Sequence, residues 1–137
     1  MPARDRYHNV VVNALKQAGW TITHDPLRLV VGNDDLYIDL GAERSAIAAK
    51  KDGQQIAVEV KTFLGRSTVK SLEDALGQYR LYLSVLAELQ PDRVLYLAIP
   101  LHVYEAVFTV RLGQIVLQHD KPRLIVLILK QKGLRDG

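Results

Sequence analysis

Apolar and polar side chains alternate along residues 56–61, which read Ile-Ala-Val-Glu-Val-Lys. Because successive side chains of a β-strand point to opposite faces, Ile56, Val58 and Val60 share one face and Glu59 and Lys61 share the other. The pattern therefore predicts a strand that buries an apolar face. On its other face, the same strand presents a carboxylate beside an ammonium group.

Residues 36–40 alternate in the same way and are predicted to form a second strand. The apolar side chains of this strand are expected to share one face, namely Leu36, Ile38 and Leu40. Tyr37 and Asp39 are expected on the opposite face. If the two strands are neighbours, the side chains of Asp39, Glu59 and Lys61 meet at one edge or bend of a sheet.

An aspartate followed by a Glu-x-Lys strand has the residue types of a metal-dependent nuclease site. Proteins bind Mg²⁺ through one or two carboxylates, and water and phosphate complete the ligand set. Asp39 and Glu59 are therefore the candidate metal ligands. Lys61 is the candidate group that orients or deprotonates a water and stabilises charge on a phosphate. The three residues together form the predicted catalytic site.

Composition limits the other possibilities. A chain of 137 residues, 48% of them hydrophobic and 24% charged, is predicted to form one globular domain over residues 1–137. The absence of cysteine excludes disulfides, zinc-thiolate sites and thiol catalysis. The sequence shows no signal peptide and no membrane-length apolar run, which predicts a cytoplasmic protein that does not contact membranes. A net charge of +3 permits nucleic-acid binding without identifying it.

Periodicity and chain breakers predict a mixed order of helices and strands. A helix is predicted over residues 5–18, with Gly19 as its C-terminal cap. Strands are predicted over residues 20–24, 27–31, 36–40, 46–50, 56–61, 94–99 and 124–129, the last two buried. The turn signal Asp52-Gly53 predicts a hairpin that folds residues 46–50 back onto residues 56–61. Two short helices are predicted over residues 103–108 and 113–119.

The longest predicted helix begins near Ser67 or Ser71 and ends near residue 89, before Pro91. Gln78 and Tyr82 are four residues apart and therefore lie on one face of this helix. Both side chains can hydrogen-bond a phosphate or a base without adding charge. The alternative for Tyr82 is that it only packs against the sheet.

The order Asp39, then Glu59 and Lys61, then Gln78 and Tyr82 resembles the PD-(D/E)xK nuclease superfamily, in its branch with a Gln-x-x-x-Tyr helix. More closely, the chain resembles the XisH family, the excision controlling factors for the fdxN element of cyanobacteria. The matching stretches extend to about residue 100 and comprise residues 2–5, 7–8, 19–26, 35–43, 56–63, 75–79, 91–93 and 95–98. The chain departs from the superfamily motif at residue 38, which is Ile where the superfamily has Pro.

This resemblance implies an α/β fold of the restriction-endonuclease-like type, a mixed β-sheet flanked by helices. It implies a role in a programmed DNA rearrangement during heterocyst differentiation. In that process a site-specific recombinase exchanges the strands and a companion protein, XisI, acts with XisH. By the same resemblance, Asp39, Glu59 and Lys61 are catalytic, Asp39 and Glu59 bind Mg²⁺, and Gln78 and Tyr82 contact the substrate.

Several candidate residues also have a purely structural interpretation. Glu59 and Lys61 are typical of an exposed strand face as well as of a site. Glu43 is a candidate third carboxylate or a solvated turn residue. His8 and His24 are candidates to reach the site or are hydrogen-bonded structural histidines. Four basic residues form either a phosphate-facing rim or a solvated surface: Lys50, Lys51, Arg66 and Lys70.

Two functions from different classes remain open. The first is Mg²⁺-dependent DNA cleavage by Asp39, Glu59 and Lys61, which the complete set of residue types favours. The second is a non-catalytic accessory factor that binds DNA, the recombinase or a XisI-like partner. The implied recombinase already cuts and rejoins the strands, which favours the second. The sequence does not select between them, and it leaves the oligomeric state open.

Overall fold

The computed structural model describes residues 3–45, 53–65 and 67–128, with side chains from residue 6 onward. The described helices are α1 (Ala3–Gln17), α2 (Thr68–Leu89), α3 (Leu101–Val103) and α4 (Arg111–His119), and a π-helical turn, Tyr104–Phe108, follows α3. The described strands are β1 (Thr21–His24), β2 (Leu27–Val31), β3 (Asp34–Ile38), β4 (Leu40–Arg44), β5 (Gln54–Val60), β6 (Arg93–Pro100) and β7 (Leu124–Leu127).

Five of these strands form a mixed sheet in the order β1-β4-β5-β6-β7, and β2 pairs with β3 in a separate hairpin. The pairs β1/β4 and β4/β5 are antiparallel, with Leu40 opposite Val58. The pairs β5/β6 and β6/β7 are parallel, with Val60 opposite Ala98. The predicted α/β class is therefore confirmed as a mixed five-stranded sheet flanked by helices.

Helix α1 covers one face of the sheet. Its residues Tyr7, Val11 and Leu15 recur at helical spacing, so they form one apolar stripe. The cluster under this stripe is called the α1-side core, and its sheet residues are Leu40, Ala42, Ile56, Val58, Val60 and Ala98. The helix ends at Gln17, and Gly19 follows as the predicted C-terminal cap, with a φ of 95° that suits glycine.

Helix α2 covers the opposite face of the sheet. It begins at the Ser67 cap, whose hydroxyl accepts a hydrogen bond from the amide of Lys70 at 3.1 Å. The cluster on this face is called the α2-side core, and it includes Leu72, Ala75, Tyr79, Tyr82 and Leu86 of α2, Leu27 and Leu29 of β2, Ile38 of β3, Ala57 of β5, and Leu95, Leu97 and Ile99 of β6. The hairpin β2–β3 thus packs on the same side as α2.

One predicted strand is divided in two. Residues 36–40 are not a single strand, because the chain bends at Asp39, where β3 ends and β4 begins. The prediction that Leu36, Ile38 and Leu40 share one face is therefore wrong. Ile38 packs in the α2-side core and Leu40 in the α1-side core, on opposite sides of the sheet.

Other predictions need smaller corrections. The predicted strand over residues 46–50 lies outside the described residues, and β4 is the described strand that folds back on β5. Strand β7 was predicted to be buried, but its side chains are half-buried, because it pairs on one side only within the described sheet. The predicted short helix over residues 103–108 is observed as α3 and the π-helical turn. No helix in the described part of the chain has the length and apolarity needed to span a membrane.

Candidate functional site

Asp39 lies where the chain passes from the β2–β3 hairpin into the five-stranded sheet. Its carboxylate oxygen Oδ2 accepts a hydrogen bond from the amide of Val60 at 2.8 Å. In return, Glu59 Oε1 accepts one from the amide of Asp39 at 3.2 Å. These two charge-assisted bonds join the bend to the end of β5 and fix both carboxylates against one stretch of backbone.

Glu59 is buried, with 4% of its surface exposed. A buried carboxylate is costly unless it is paired and hydrogen-bonded. Its Oε2 lies 3.7 Å from Lys61 Nζ, and the lysine side chain remains 25% exposed. The predicted alternative, an exposed strand face, therefore does not describe Glu59. The structure places a buried carboxylate and a partly exposed ammonium group side by side.

The site lies at the carboxyl ends of the parallel strands β5 and β6. The amide of Lys61 continues the ladder beyond β5 by donating to the carbonyl oxygen of Ala98 at 2.9 Å. On its other side β5 pairs with the antiparallel strand β4, so the strand direction changes at β5. Ligands of open α/β sheets commonly bind at such a carboxyl end.

All five predicted site residues line one cavity of about 460 Å³. Asp39, Glu59 and Lys61 come from the sheet side. Gln78 and Tyr82 come from α2, which crosses the same end of the sheet. Tyr82 is also part of the α2-side core, so its packing role and its position in the cavity coexist. The catalytic and binding roles of the five residues remain predictions.

Gln78 Oε1 is buried and accepts no hydrogen bond in the described part of the chain. An unsatisfied buried acceptor is uncommon in folded proteins and often marks a functional position. Here the amide lies in the cavity that the carboxylates of Asp39, Glu59 and Asp74 also line. The cavity wall therefore offers the Gln78 amide oxygen as well as carboxylate oxygens.

These oxygen donors fit Mg²⁺ rather than a metal that needs a closed protein site. Mg²⁺ binds oxygen ligands and keeps several waters, so one or two carboxylates suffice. Within residues 3–45, 53–65 and 67–128, no group of three or more His, Cys, Asp or Glu side chains could hold a metal ion. Asp39 and Glu59 are thus the residues that fit the cation, because each carboxylate oxygen can accept more than one contact.

The cavity contains side chains that the sequence analysis did not select: Tyr37, Thr62, Phe63, Leu64, Ser71 and Asp74. For two of them, the sequence spacing relative to a predicted site residue could have indicated their position. Asp74 precedes Gln78 by four residues on the same helical face, and Tyr37 precedes Asp39 by two. The others lie outside regular periodicity, or at the start of the helix, where spacing alone does not indicate a site.

The alternative candidates lie elsewhere. His8 Nε2 is 2.9 Å from Asp25 Oδ1, and His24 Nδ1 is 2.9 Å from the hydroxyl of Thr23. Neither histidine lines the cavity, so both fit the structural interpretation. Glu43 lies on β4 and accepts a hydrogen bond from Gln55 at 3.1 Å.

Of the four basic candidates for a rim, only Lys70 lies among the described residues, where it pairs with Asp74 at 3.4 Å. A larger polar depression of about 1060 Å³ lies at the other end of β4 and β5, beside Thr21, Glu43 and Gln54, and it contains neither Asp39 nor Glu59.

Fold and site together define a class: a mixed α/β protein with a cavity at the carboxyl end of its parallel strands, where two carboxylates and one lysine on the sheet side face polar groups on a helix. A family model described as XisH protein matches residues 1–134. The chain therefore belongs to the XisH family.

Two crystal structures are similar to this chain. One is an XisH family protein from Nostoc punctiforme, with 38% identity and a TM-score of 0.77 over 87% of this chain and 88% of that one. The other is an fdxN element excision controlling factor protein from Anabaena variabilis, with 41% identity and a TM-score of 0.78 over 89% of each chain. No functionally curated protein matches the chain.

Proposed function

We propose that this protein is an fdxN element excision controlling factor that acts in heterocyst differentiation, and that its cavity is a Mg²⁺-dependent endonuclease site. The observation that carries the proposal is the convergence of Asp39, Glu59, Lys61, Gln78 and Tyr82 on one cavity. Residue types of this kind rarely meet by chance at the end of a buried strand, where each charge must be compensated.

The proposed chemistry assigns a role to each side chain. Asp39 and Glu59 hold the cation, and their backbone hydrogen bonds keep both carboxylates oriented before it binds. Bound Mg²⁺ supplies Lewis-acid polarisation of a phosphodiester and a lowered pKa for water. Lys61 places its ammonium group beside Glu59, where it orients the attacking water and stabilises negative charge on the phosphate. Gln78 and Tyr82 position the substrate through neutral hydrogen bonds.

The fold supports a finer proposal. An antiparallel β4/β5 pair continues into a parallel β5/β6 pair, and helices α1 and α2 cover opposite faces. We assign this arrangement to the restriction-endonuclease-like fold of the PD-(D/E)xK superfamily. The bend at Asp39 takes the place of the Pro-Asp motif, with Ile38 before the aspartate.

A nicking assay tests the enzymatic proposal. Supercoiled plasmid carrying an excisable element is incubated with the protein in Mg²⁺ or in a chelator, with and without a XisI-like partner. The expected result is Mg²⁺-dependent nicking that Asp39→Asn and Lys61→Ala abolish, whereas Glu43→Gln, a carboxylate outside the cavity, retains it. Nicking that persists in both site variants, or that the chelator does not stop, would refute the assignment.

The second candidate is a non-catalytic accessory factor on the same fold. The observation that favours it is the Glu59–Lys61 ion pair, which compensates the buried carboxylate without a metal. The partners under this proposal are DNA, a XisI-like protein and the site-specific recombinase. Co-purification with each partner and an excision assay test it. Full excision with Asp39→Asn protein would support an accessory role, and loss of excision with retained partner binding would favour the enzyme.

A further inference from the structure

Tyr37 is an aromatic side chain at the mouth of the cavity. It is 51% exposed and lines the cavity two residues before Asp39. Directly across the hairpin, Arg28 pairs with Tyr37, and its guanidinium hydrogen-bonds both oxygens of Asp35 at 3.1 and 3.2 Å. Arg28 thus makes an exposed ion pair with Asp35 and also interacts with the Tyr37 hydroxyl, and Tyr37 is the half-exposed aromatic ring that this part of the hairpin presents at the cavity.

Leu64 is an apolar side chain at the same mouth, on the segment that follows β5. It is 65% exposed and lines the cavity. Its neighbour Phe63 adopts a φ of 56°, an unusual value for an aromatic residue. The Phe63 ring contacts the Phe108 ring edge to face, with 6.5 Å between the ring centroids, and this contact anchors the segment on the core. Leu64 therefore follows a residue whose ring packs on the core, while its own side chain is exposed at the cavity.

Within residues 3–45, 53–65 and 67–128, the side chains that line the cavity carry little positive charge. Its ionisable lining residues are three carboxylates, Asp39, Glu59 and Asp74, the phenols of Tyr37 and Tyr82, and one ammonium group, Lys61. Lys70, nearby on α2, is engaged by Asp74. Duplex DNA carries one negative charge per roughly 1.7 Å of helix axis and is usually gripped by rows of cations. This mouth offers a ring and an aliphatic side chain, which contact bases rather than phosphates.

From these features we infer that the cavity accepts an unpaired nucleotide, whose base stacks on Tyr37 and packs against Leu64 while its phosphate faces the carboxylates and Lys61. Single-stranded or unpaired nucleic acid, rather than intact duplex, is the substrate class. The inference rests on the proposed function, because the phosphate reaches an acidic cavity only when a bound cation offsets the carboxylates.

Fluorescence anisotropy tests the inference. The probes are a labelled oligodeoxynucleotide, its duplex and the matching oligoribonucleotide, each in Ca²⁺, which takes oxygen ligands as Mg²⁺ does. We expect a single strand to bind at least about tenfold tighter than the duplex. Tyr37→Ala should weaken that binding by about 5- to 150-fold, the range of base stacking, while Tyr37→Phe retains it. Comparison of the affinities for the oligodeoxynucleotide and the oligoribonucleotide shows whether the cavity prefers deoxyribose or ribose.

A matched control isolates Leu64. Leu81 is also exposed, at 53%, but lies on α2 outside the cavity. Leu64→Ala should weaken single-strand binding, and Leu81→Ala should leave it unchanged. Equal affinity for duplex and single strand, or unchanged affinity of Tyr37→Ala, would overturn the inference. Mg²⁺-dependent cleavage of duplex that Lys61→Ala abolishes would then leave the proposed function standing, whereas lack of cleavage of every probe would count against the function itself.

Discussion

The two faces of β5 are buried to a similar extent, but one face is apolar and the other carries the charged side chain of Glu59. Toward α1, Ile56, Val58 and Val60 form part of a closed apolar cluster. Toward α2, Ala57 lies under the helix, but Glu59, also buried, points into a polar cavity. Burial alone therefore does not distinguish a core position from a site position on this strand.

The difference lies in how each face is stabilised. The α1 side gains free energy from removing apolar surface from water. On the α2 side, Glu59 needs the amide of Asp39 and the ammonium of Lys61 merely to offset its desolvation. In other proteins, replacing a buried ion pair by apolar residues of similar volume is often neutral or stabilising. The burial of a carboxylate at position 59 is therefore consistent with the proposed site and is weak evidence for a contribution to stability.

The largest expected effect is on the rate of cleavage, when the ammonium group of Lys61 is removed from the α2 side. Under the proposed function, Lys61→Ala should lower Mg²⁺-dependent cleavage by about 10²- to 10⁴-fold, because it removes the group proposed to act on water and phosphate. Metal binding should survive. Lys70→Ala is the matched control, because Lys70 belongs to an exposed ion pair beside the cavity. Single-turnover rates of both variants measure the effect, and equal losses in the two would remove Lys61 from the mechanism.

On the α1 side the expected loss concerns stability instead. Leu40 is completely buried beside Val58. Leu40→Ala should lower the free energy of unfolding by about 2–5 kcal/mol, through lost burial and a residual cavity. Leu81→Ala, at an exposed position, should change it by less than about 0.5 kcal/mol. Urea denaturation of both variants makes the comparison, and similar values would show that the α1 side is not the closed core described here.

A smaller effect is expected on the stabilisation by Mg²⁺, when the carboxylate of Asp39 is neutralised. In the proposed metal site, the negative charges of Asp39 and Glu59 repel each other without metal, and a bound cation would relieve this repulsion. Mg²⁺ at 100 times its dissociation constant should stabilise the wild-type protein by about 2.7 kcal/mol. Asp39→Asn should lose most of that gain and remain folded without metal.

Asp74→Asn is the control for this change, since it alters a carboxylate that lines the same cavity from α2. It should keep the wild-type response to Mg²⁺. Melting curves with and without Mg²⁺ report the result. If wild type and Asp39→Asn respond identically, the metal site is refuted.

The strand that carries Glu59 and Lys61 was predictable from sequence, because two-residue alternation has a direct structural meaning. So was the face of α2 shared by Gln78 and Tyr82, because helical spacing fixes it. The bend at Asp39 was not predictable. Residues 36–40 alternate without interruption, and only pairing of β3 with β2 and of β4 with β5 divides them between two sheets. The exposure of Leu64 at the cavity was not predictable either, because the segment has no regular periodicity and its neighbour Phe63 makes a tertiary contact with Phe108.

The smallest effect is expected at the one polar atom of the α1-side core that lacks a hydrogen-bond partner in the described part of the chain, the Tyr7 hydroxyl. Burial raises the pKa of Tyr7 to about 12 from the ordinary value of 10. The folded state therefore keeps this proton where the unfolded chain loses it, so the associated stability is complete below pH 10 and is lost as pH rises through 12. At pH 11 the loss amounts to about 1 kcal/mol.

Tyr7→Phe should remove this loss and leave stability at pH 7 unchanged or slightly higher, because no hydrogen bond is broken. Urea denaturation at pH 7 and pH 11 measures the difference, with Tyr37→Phe as the exposed control at pH 7. A Tyr7→Phe variant that is clearly less stable at pH 7 would show that the hydroxyl has a partner, and that the α1 side also contains a polar contact.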